Sequence, residues 1–342
     1  MSSLKKKLIV QTRYAFARLV NVMGENILGK IPPLIGGLLR KSTTWELIDF
    51  LPFLGQLIHK FKPTIQTFLD ELMLPLISRI FESLNKPVEG TDDVIEQTSM
   101  RKAYLSFIMT LFNNRMESVF VSQASRSKFD AVLESIIHYA TDTSDATVEK
   151  VAFGVLNKMV VVWSTPSSEP DPLEKEFHEA FGQFVIQHLS RVCFEVPSKT
   201  SFNSNDAQSR LVLAEIAGLQ KSIFQMKGDL FVSYLQNSFF PSLGVSPEAA
   251  GEYVRALQQL DLKQFKKFFV VCSYFCFVLM CSPLQVGDIL AFREHLSRPW
   301  IAFWRLYHKS LIGQCQIIIK HLFLKCEYKL HFSYQQTGIS DI

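Results

Sequence analysis

The chain has 342 residues, of which 48% are hydrophobic and 20% are charged, so it is long and apolar enough to bury a large core. This composition excludes a disordered chain, which would be poorer in apolar residues. Positions 1–269 hold 29 basic and 28 acidic residues, which is not the basic excess of a compact nucleic-acid-binding module. Any contact with nucleic acid must therefore come from local basic clusters.

The first thirty residues predict neither a secretion signal nor a nucleotide site. Lys5, Lys6 and Lys7 precede an apolar run of only three residues, which is too short for a signal peptide, so we expect a nuclear or cytosolic protein. The segment 24–30 matches the first seven positions of a phosphate-binding loop, but Ile31 stands where that loop needs Ser or Thr. We interpret it as a glycine-marked break between two helices.

Apolar residues recur at helical spacing through most of positions 1–269, and no sustained strand alternation interrupts them. These stripes predict an all-helical chain. The clearest are Leu69, Leu72, Met73, Leu76, Ile80, Phe81 and Leu84; Tyr104, Phe107, Ile108 and Leu111; Val132, Leu133, Ile136, Ile137 and Ala140; Val148, Val151, Ala152, Val155, Leu156, Met159 and Trp163; and Phe177, Phe181, Phe184, Val185, Val192 and Cys193.

Proline, glycine and serine separate these stripes into pairs of helices. Capping residues agree with the breaks: Thr44 precedes Glu46, Asp145 precedes the Val148 stripe, and Asn205 precedes a run from Ala207. Helix starts near 46, 98, 147 and 207 give a period slightly longer than that of HEAT units. A helix pair with so wide an apolar face must stack on its neighbours, which predicts an all-α HEAT-repeat superhelix, or solenoid, with a long concave surface.

Several segments, in order along the chain, resemble the carboxyl-terminal repeats of the exportin-T family. The resemblance covers roughly residues 10–269, and its weight comes from the collinear order of the segments, because none is a catalytic signature. They are residues 50–62 (FLPFLGQLIHKFK), 74–82 (LPLISRIFE), 100–107 (MRKAYLSF), 206–208 (DAQ), 234–243 (YLQNSFFPSL), 256–259 (ALQQ) and 265–268 (FKKF).

The resemblance implies a tRNA carrier that shuttles between nucleus and cytoplasm with Ran bound to GTP. It implies a monomeric karyopherin that contacts tRNA, Ran and nucleoporins and is neither an enzyme nor dependent on a cofactor. The amino-terminal repeats that make the main contact with Ran in karyopherins have no counterpart in this sequence. Export as a complete activity is therefore expected only of a longer protein.

Basic clusters along the repeats are the candidate tRNA contacts, because recurring cations would let one concave face track a phosphate backbone. Arg101 and Lys102 also match a position that is basic in the family. The alternative is a protein–protein scaffold whose basic residues keep it soluble. The candidate residues are Lys60, Lys62, Arg101, Lys102, Arg126, Lys128, Lys263, Lys266 and Lys267.

Residues 270–342 differ in composition from the rest of the chain, and we expect them to be an unrelated tail, such as a read-through or a mis-predicted exon, with a real isoform ending as the alternative. They contain five of the six cysteines and four of the eight histidines, but no Cys-x-x-Cys pair, so a metal site is not favoured. The apolar run 268–281 is shorter than a membrane-spanning helix. We predict that it closes the last repeat, in preference to anchoring the chain in a membrane.

Overall fold

A computed structural model describes residues 3–122, 126–164, 172–204, 206–243, 245 and 247–281. Throughout these ranges the chain consists of helices joined by turns, and no β-strand occurs in them. The all-α helical-repeat prediction is confirmed. Two compact units, Met1–Ala140 and Thr141–Ile342, divide the chain.

The described residues of the amino-terminal unit form seven α-helices, and two 3-10 segments, Gly24–Lys30 and Lys62–Ile65, join consecutive helices there. The first of these is the segment that resembles a phosphate-binding loop. Gly24 has a φ of +56° at its start, so the interpretation as a glycine-marked break is confirmed. The helices are α1 (Ser3–Met23), α2 (Ile31–Lys41), α3 (Thr44–Phe61), α4 (Gln66–Leu84), α5 (Thr91–Asn113), α6 (Ser118–Val121) and α7 (Arg126–Thr141).

In this unit α3 packs mainly on α5 rather than on its sequence neighbour α4. Gly55 of α3 lies against Thr110 of α5, and one turn further along His59 Nδ1 lies 3.1 Å from Asn114 Oδ1. Because both contacts advance in the same direction on both helices, α3 and α5 run parallel, and α4 provides the return. Parallel packing of alternate helices is the arrangement expected of stacked helix pairs.

In the second unit one helix packs against two helices that are distant from it in sequence. The helices of this unit are α8 (Ala146–Trp163), α9 (Pro172–Phe184), α10 (Ser190–Ser198), α11 (Ala207–Lys227), α12 (Asp229–Tyr234), α13 (Phe240–Ser242), α14 (Pro247–Gln259) and α15 (Leu262–Cys281). Helix α11 packs most extensively against α8 and α15 and makes smaller contacts with α10, α12 and α14. Two π-helical segments join consecutive helices of this unit: Val185–Leu189 lies between α9 and α10, and Leu235–Phe239 lies between α12 and α13.

Aromatic rings fill much of the core of the second unit. Tyr253 of α14 is the centre of the largest group, with ring contacts at 5.4–6.1 Å to phenylalanines of α10, α13 and α15. Those partners are Phe194, Phe240, Phe265 and Phe268. Such rings each bury a large apolar area, so this group holds α14 and α15 to the earlier helices.

The predicted helix starts are correct for α3, α8 and α11 to within two residues, but wrong for α5, which begins at Thr91 rather than near 98. Its first turn is capped by Asp93, whose carboxylate accepts from the backbone N–H groups of Glu89 and Gly90. Two predicted N-caps shift by one residue, because Thr43 and Asp206 make the capping contacts rather than Thr44 and Asn205. Asp145 is confirmed as the cap of α8.

The predicted closing helix of the last repeat corresponds to α15, whose Phe268 and Phe269 are buried. In the part of the chain that the structure describes, none of the helices combines the length and hydropathy that crossing a membrane requires. Most of the proposed tail, residues 282–342, lies outside the described residues.

Candidate nucleic-acid interface

At the end of α3, Lys60 and Lys62 have different surroundings. Lys60 Nζ donates to the backbone oxygen of Val20 and to Asn21 Oδ1, each at 2.8 Å, and so fastens α3 to the end of α1. Lys62 is exposed at the C-cap of α3 with a φ of +40°. Arg115, which follows the α5 residue in contact with His59, is also exposed and was missed by the sequence analysis.

Arg101 and Lys102 lie in the middle of α5, and both are half-buried. The Arg101 guanidinium donates to Gln97 Oε1 at 2.9 Å and lies 5.5 Å from the centre of the Tyr139 ring. These contacts hold α5 to α7 and fix the direction of the guanidinium. Arg101 therefore has a structural role whether or not its remaining N–H groups contact a ligand.

Helix α7 supplies the next predicted pair. Arg126 is its first residue, but its side chain lies outside the described part of the structure. Lys128, in the first turn, is half-buried and makes no ion pair with any residue in the described ranges.

The last predicted cluster lies on the first turns of α15. Lys263 and Lys267 are exposed, whereas Lys266 is half-buried and lies across α11. A Cβ atom added at Gly218 of α11 would come within 3.3 Å of Lys266 Cε. The absence of a side chain at Gly218 thus leaves the space that the aliphatic part of Lys266 occupies.

Helix α8 contributes two lysines that the sequence analysis did not select, Lys150 and Lys158. Asn157 Nδ2 of α8 and Lys266 Nζ of α15 each lie 3.5 Å from the position that a Cβ atom of Gly218 would occupy, so the three helices adjoin at this point. At 100° per residue, Lys150 lies about 20° from Asn157 around α8, and Lys158 lies about 100° from Asn157 and about 80° from Lys150. In the sequence, isolated lysines at helical spacing are typical of a solvated helix surface. Only the packing of α8, α11 and α15 in the structure shows that Lys150 and Lys158 lie on a helix that adjoins α15.

We call Lys150, Lys158, Lys263 and Lys266 the lysine face. Considering only described residues, none of the four forms an ion pair or a hydrogen bond. Three acidic residues lie near these lysines: Glu149 precedes Lys150, the exposed Asp261 lies two residues before Lys263, and the half-buried Glu215 of α11 lies 60° from Gly218 by the same count. Because none of the four lysines forms an ion pair with a described residue, the lysine face favours the binding of a polyanion.

Glu149 is adjacent to Lys150, but it adds little negative charge at neutral pH. Its side chain is 1% exposed, and burial raises the pKa of its carboxyl group to about 8. The positive charge of Lys199 opposes this shift, and the negative charge of Asp142 adds to it. The carboxyl group is therefore mostly protonated at pH 7, and the net charge of the surface near α8 stays positive.

No group of three or more His, Cys, Asp or Glu side chains that could hold a metal ion occurs within the described ranges. Cys193 is buried as a free thiol, and burial raises its pKa, which opposes formation of the reactive thiolate. The predicted tail cysteines and histidines beyond residue 281 lie outside those ranges.

The stacked helices within each unit define a helical-repeat protein. A family model, Exportin-T, matches residues 1–274, and the chain belongs to the exportin-T family of transport receptors. The family resemblance predicted from the sequence is confirmed.

Curated relatives from fungi carry the same description. Exportin-T of Neosartorya fischeri is 39% identical over 280 residues, which cover 80% of this chain and 27% of that protein. Exportin-T of Mycosarcoma maydis is 38% identical over 256 residues, covering 75% of this chain and 23% of that protein. The chain thus spans about a quarter of the length of these relatives.

Proposed function

We propose that this chain is the part of a tRNA export carrier that contacts tRNA through phosphate and 2′-hydroxyl groups, recognising the folded shape of the RNA with little base reading. The observation that supports it is the lysine face, where helices α8 and α15 of an exportin-T family member present four lysines that form no ion pair with a described residue. Counterion release makes such contacts additive, although each is weak alone.

The proposed contacts extend beyond the lysine face to the other predicted cations, on the concave surface that the repeat pattern predicts. A carrier of many tRNAs gains from contacts that do not read sequence, and backbone contacts have this property. The full set is Lys60, Lys62, Arg101, Lys102, Arg126, Lys128, Lys150, Lys158, Lys263, Lys266 and Lys267.

In the complete carrier, tRNA binding is proposed to be coupled to Ran bound to GTP, with shuttling between nucleus and cytoplasm and passage along nucleoporins. Because the aligned residues cover only 27% of a matched relative, the contacts with Ran are proposed to lie mainly in sequence that this chain does not contain. The isolated chain is therefore expected to bind tRNA weakly and without a large response to Ran.

Fluorescence anisotropy with labelled RNA tests the proposal. Several different tRNAs should bind with dissociation constants within a few-fold of one another, and an unstructured RNA of the same length should bind at least tenfold more weakly. Equal affinity for the unstructured RNA would contradict shape recognition. No binding of any RNA at low salt would instead support the alternative of a protein–protein scaffold.

A further inference from the structure

Two side-chain donors from different helices converge over the backbone of α11. Lys266 Nζ of α15 and Asn157 Nδ2 of α8 each lie 3.5 Å from the position that a Cβ atom of Gly218 would occupy. Since both atoms lie within 3.5 Å of one point, they are at most 7.0 Å apart. Two oxygens of one phosphate group, or a single shared oxygen, can bridge donors at such a separation.

Neither donor is used within the part of the chain that the structure describes. Lys266 Nζ and Asn157 Nδ2 have no hydrogen-bond partner there, and Asn157 Oδ1 is a buried acceptor that also lacks a partner. Unpaired polar groups beside a packed helix cost free energy unless water or a ligand satisfies them. The arrangement therefore presents a positive charge and a neutral donor to the same small volume.

Packing orders this pair of donors before a ligand arrives. The Lys266 side chain lies over Gly218 and is half-buried, whereas Lys263 and Lys267 on the same helix are exposed. An ordered lysine loses less conformational entropy on binding an anion than a freely rotating one, so it contributes more to affinity.

We propose that Asn157, Gly218 and Lys266 form a binding site for a single phosphate group, with Lys150, Lys158 and Lys263 of the lysine face around it. Lys266 provides the charge, Asn157 provides a directed N–H, and Gly218 provides the space. The phosphate comes from an RNA backbone, so this site deepens the proposed function and rests on it. A small phosphorylated molecule has the same chemistry, and the experiment separates the two sources.

The first measurement follows the side-chain amide resonances of Asn157 in the full chain during titration with inorganic phosphate. They should shift and saturate, and the shift should be abolished in Lys266→Ala and reduced in Gly218→Ala, whose added Cβ would crowd Lys266 Cε at 3.3 Å and fill the point on which the two donors converge. The shift should persist in Lys175→Ala, which removes an exposed lysine from α9. No shift in the wild type, or an unchanged shift in Lys266→Ala, would overturn the site.

In a different arrangement, the Asn157 amide is rotated so that its oxygen accepts a hydrogen bond from Lys266. The structural pair and the phosphate site then predict different results for Asn157→Asp. If the pair is structural, the aspartate strengthens it and raises the thermal stability. If the pair binds phosphate, the new carboxylate repels the anion, and phosphate binding is abolished. Increased stability with phosphate binding retained would overturn the proposal.

The second measurement is the salt dependence of tRNA affinity. Lys266→Ala should reduce the slope of log Kd against log salt by about one unit, as expected when one phosphate is no longer neutralised. If tRNA binds and the slope is unchanged in Lys266→Ala, the phosphate does not come from RNA, and the site fails as proposed. If tRNA does not bind although phosphate shifts the Asn157 amide, the proposed function fails and the anion site is that of a small phosphorylated molecule.

Discussion

Gly55 of α3 lies directly against Thr110 of α5, where an added Cβ atom would come 3.3 Å from Thr110 Cγ2. The missing side chain lets the two helices approach closely enough for His59 and Asn114 to meet one turn further on. Together these contacts set the register of two helices, α3 and α5, between which residues 62–90 lie in the sequence. Close packing of alternate helices in the first unit thus depends on a glycine.

Gly55→Val should destabilise the first unit by about 1–3 kcal/mol, because the branched side chain overpacks the contact with Thr110. Chemical denaturation followed by circular dichroism measures the change. Gly37→Ala in α2 is the matched control, since nothing lies within 4 Å of its added Cβ. It should be neutral or stabilising by up to about 1 kcal/mol, because alanine favours a helix. Equal effects of the two substitutions would refute the role of Gly55.

The buried carboxyl group of Glu149 makes the stability of the second unit depend on pH. The folded chain keeps the proton up to a pKa of about 8, whereas the unfolded chain releases it near the ordinary value of 4.5. Between these values the unfolded state binds fewer protons, so the free energy of unfolding should fall as pH rises, by up to about 1.4 kcal/mol per pH unit. Above pH 8 this contribution is constant.

Glu149→Gln should remove that pH dependence and raise the stability at pH 8 relative to the wild type. Denaturation midpoints between pH 5 and pH 9 measure it, with Glu176→Gln, an exposed residue of α9, as the control. If the stability of the wild type rises from pH 5 to pH 8 in parallel with that of the Glu149→Gln variant, Glu149 is ionised in the folded state and the account is wrong.

Asp145→Ala should cost about 1 kcal/mol of stability. The Asp145 carboxylate accepts from the backbone N–H groups of Thr147 and Val148 at 2.9 and 3.2 Å, and these donors have no partner within α8. Asp145→Asn should retain most of the stability, because an amide oxygen can also accept. The exposed Asp130 of α7 is the control, and its replacement by alanine should change the stability by less than about 0.5 kcal/mol.

Arg101→Lys keeps the charge but should lower the stability of the first unit by roughly 0.5–1 kcal/mol. A lysine cannot reproduce both the hydrogen bond to Gln97 and the planar contact with the Tyr139 ring. Thermal unfolding of the Arg101→Lys variant measures the loss of stability. Lys102→Arg, a substitution at the next residue of the same helix, is the control. An unchanged melting temperature in Arg101→Lys would mean that these contacts do not stabilise the unit.

The helices could be predicted from the sequence wherever an apolar stripe reaches the end of a helix. The stripe from Val148 to Trp163 and the capping residue Asp145 together locate α8 to within one residue. The start of α5 could not be found in this way, because its first two turns are largely polar and its apolar side chains there, Val94 and Ile95, are exposed. The feature that marks the start of α5 is the cap in which the Gly90 N–H donates to the Asp93 carboxylate.

The candidate interface was only partly predictable. Lys263 and Lys266 stand out as a local basic cluster, whereas Lys150 and Lys158 have ordinary neighbours in the sequence. Their relevance comes from the packing of α8 and α15 against α11, and such packing between distant segments leaves no periodic signal. The roles of Lys60 and Arg101 in holding helices together could not be predicted either, because the sequence does not indicate which residue a cation contacts.

The salt dependence of tRNA binding tests the central claim most directly. In the chain with Lys150, Lys158, Lys263 and Lys266 all replaced by alanine, the slope of log Kd against log salt should decrease by about 0.7–0.9 for each phosphate that a lysine no longer neutralises, and the affinity at low salt should fall at least tenfold. The Lys175→Ala control should match the wild type. A slope and affinity unchanged by the four substitutions would contradict the assignment of this face to RNA.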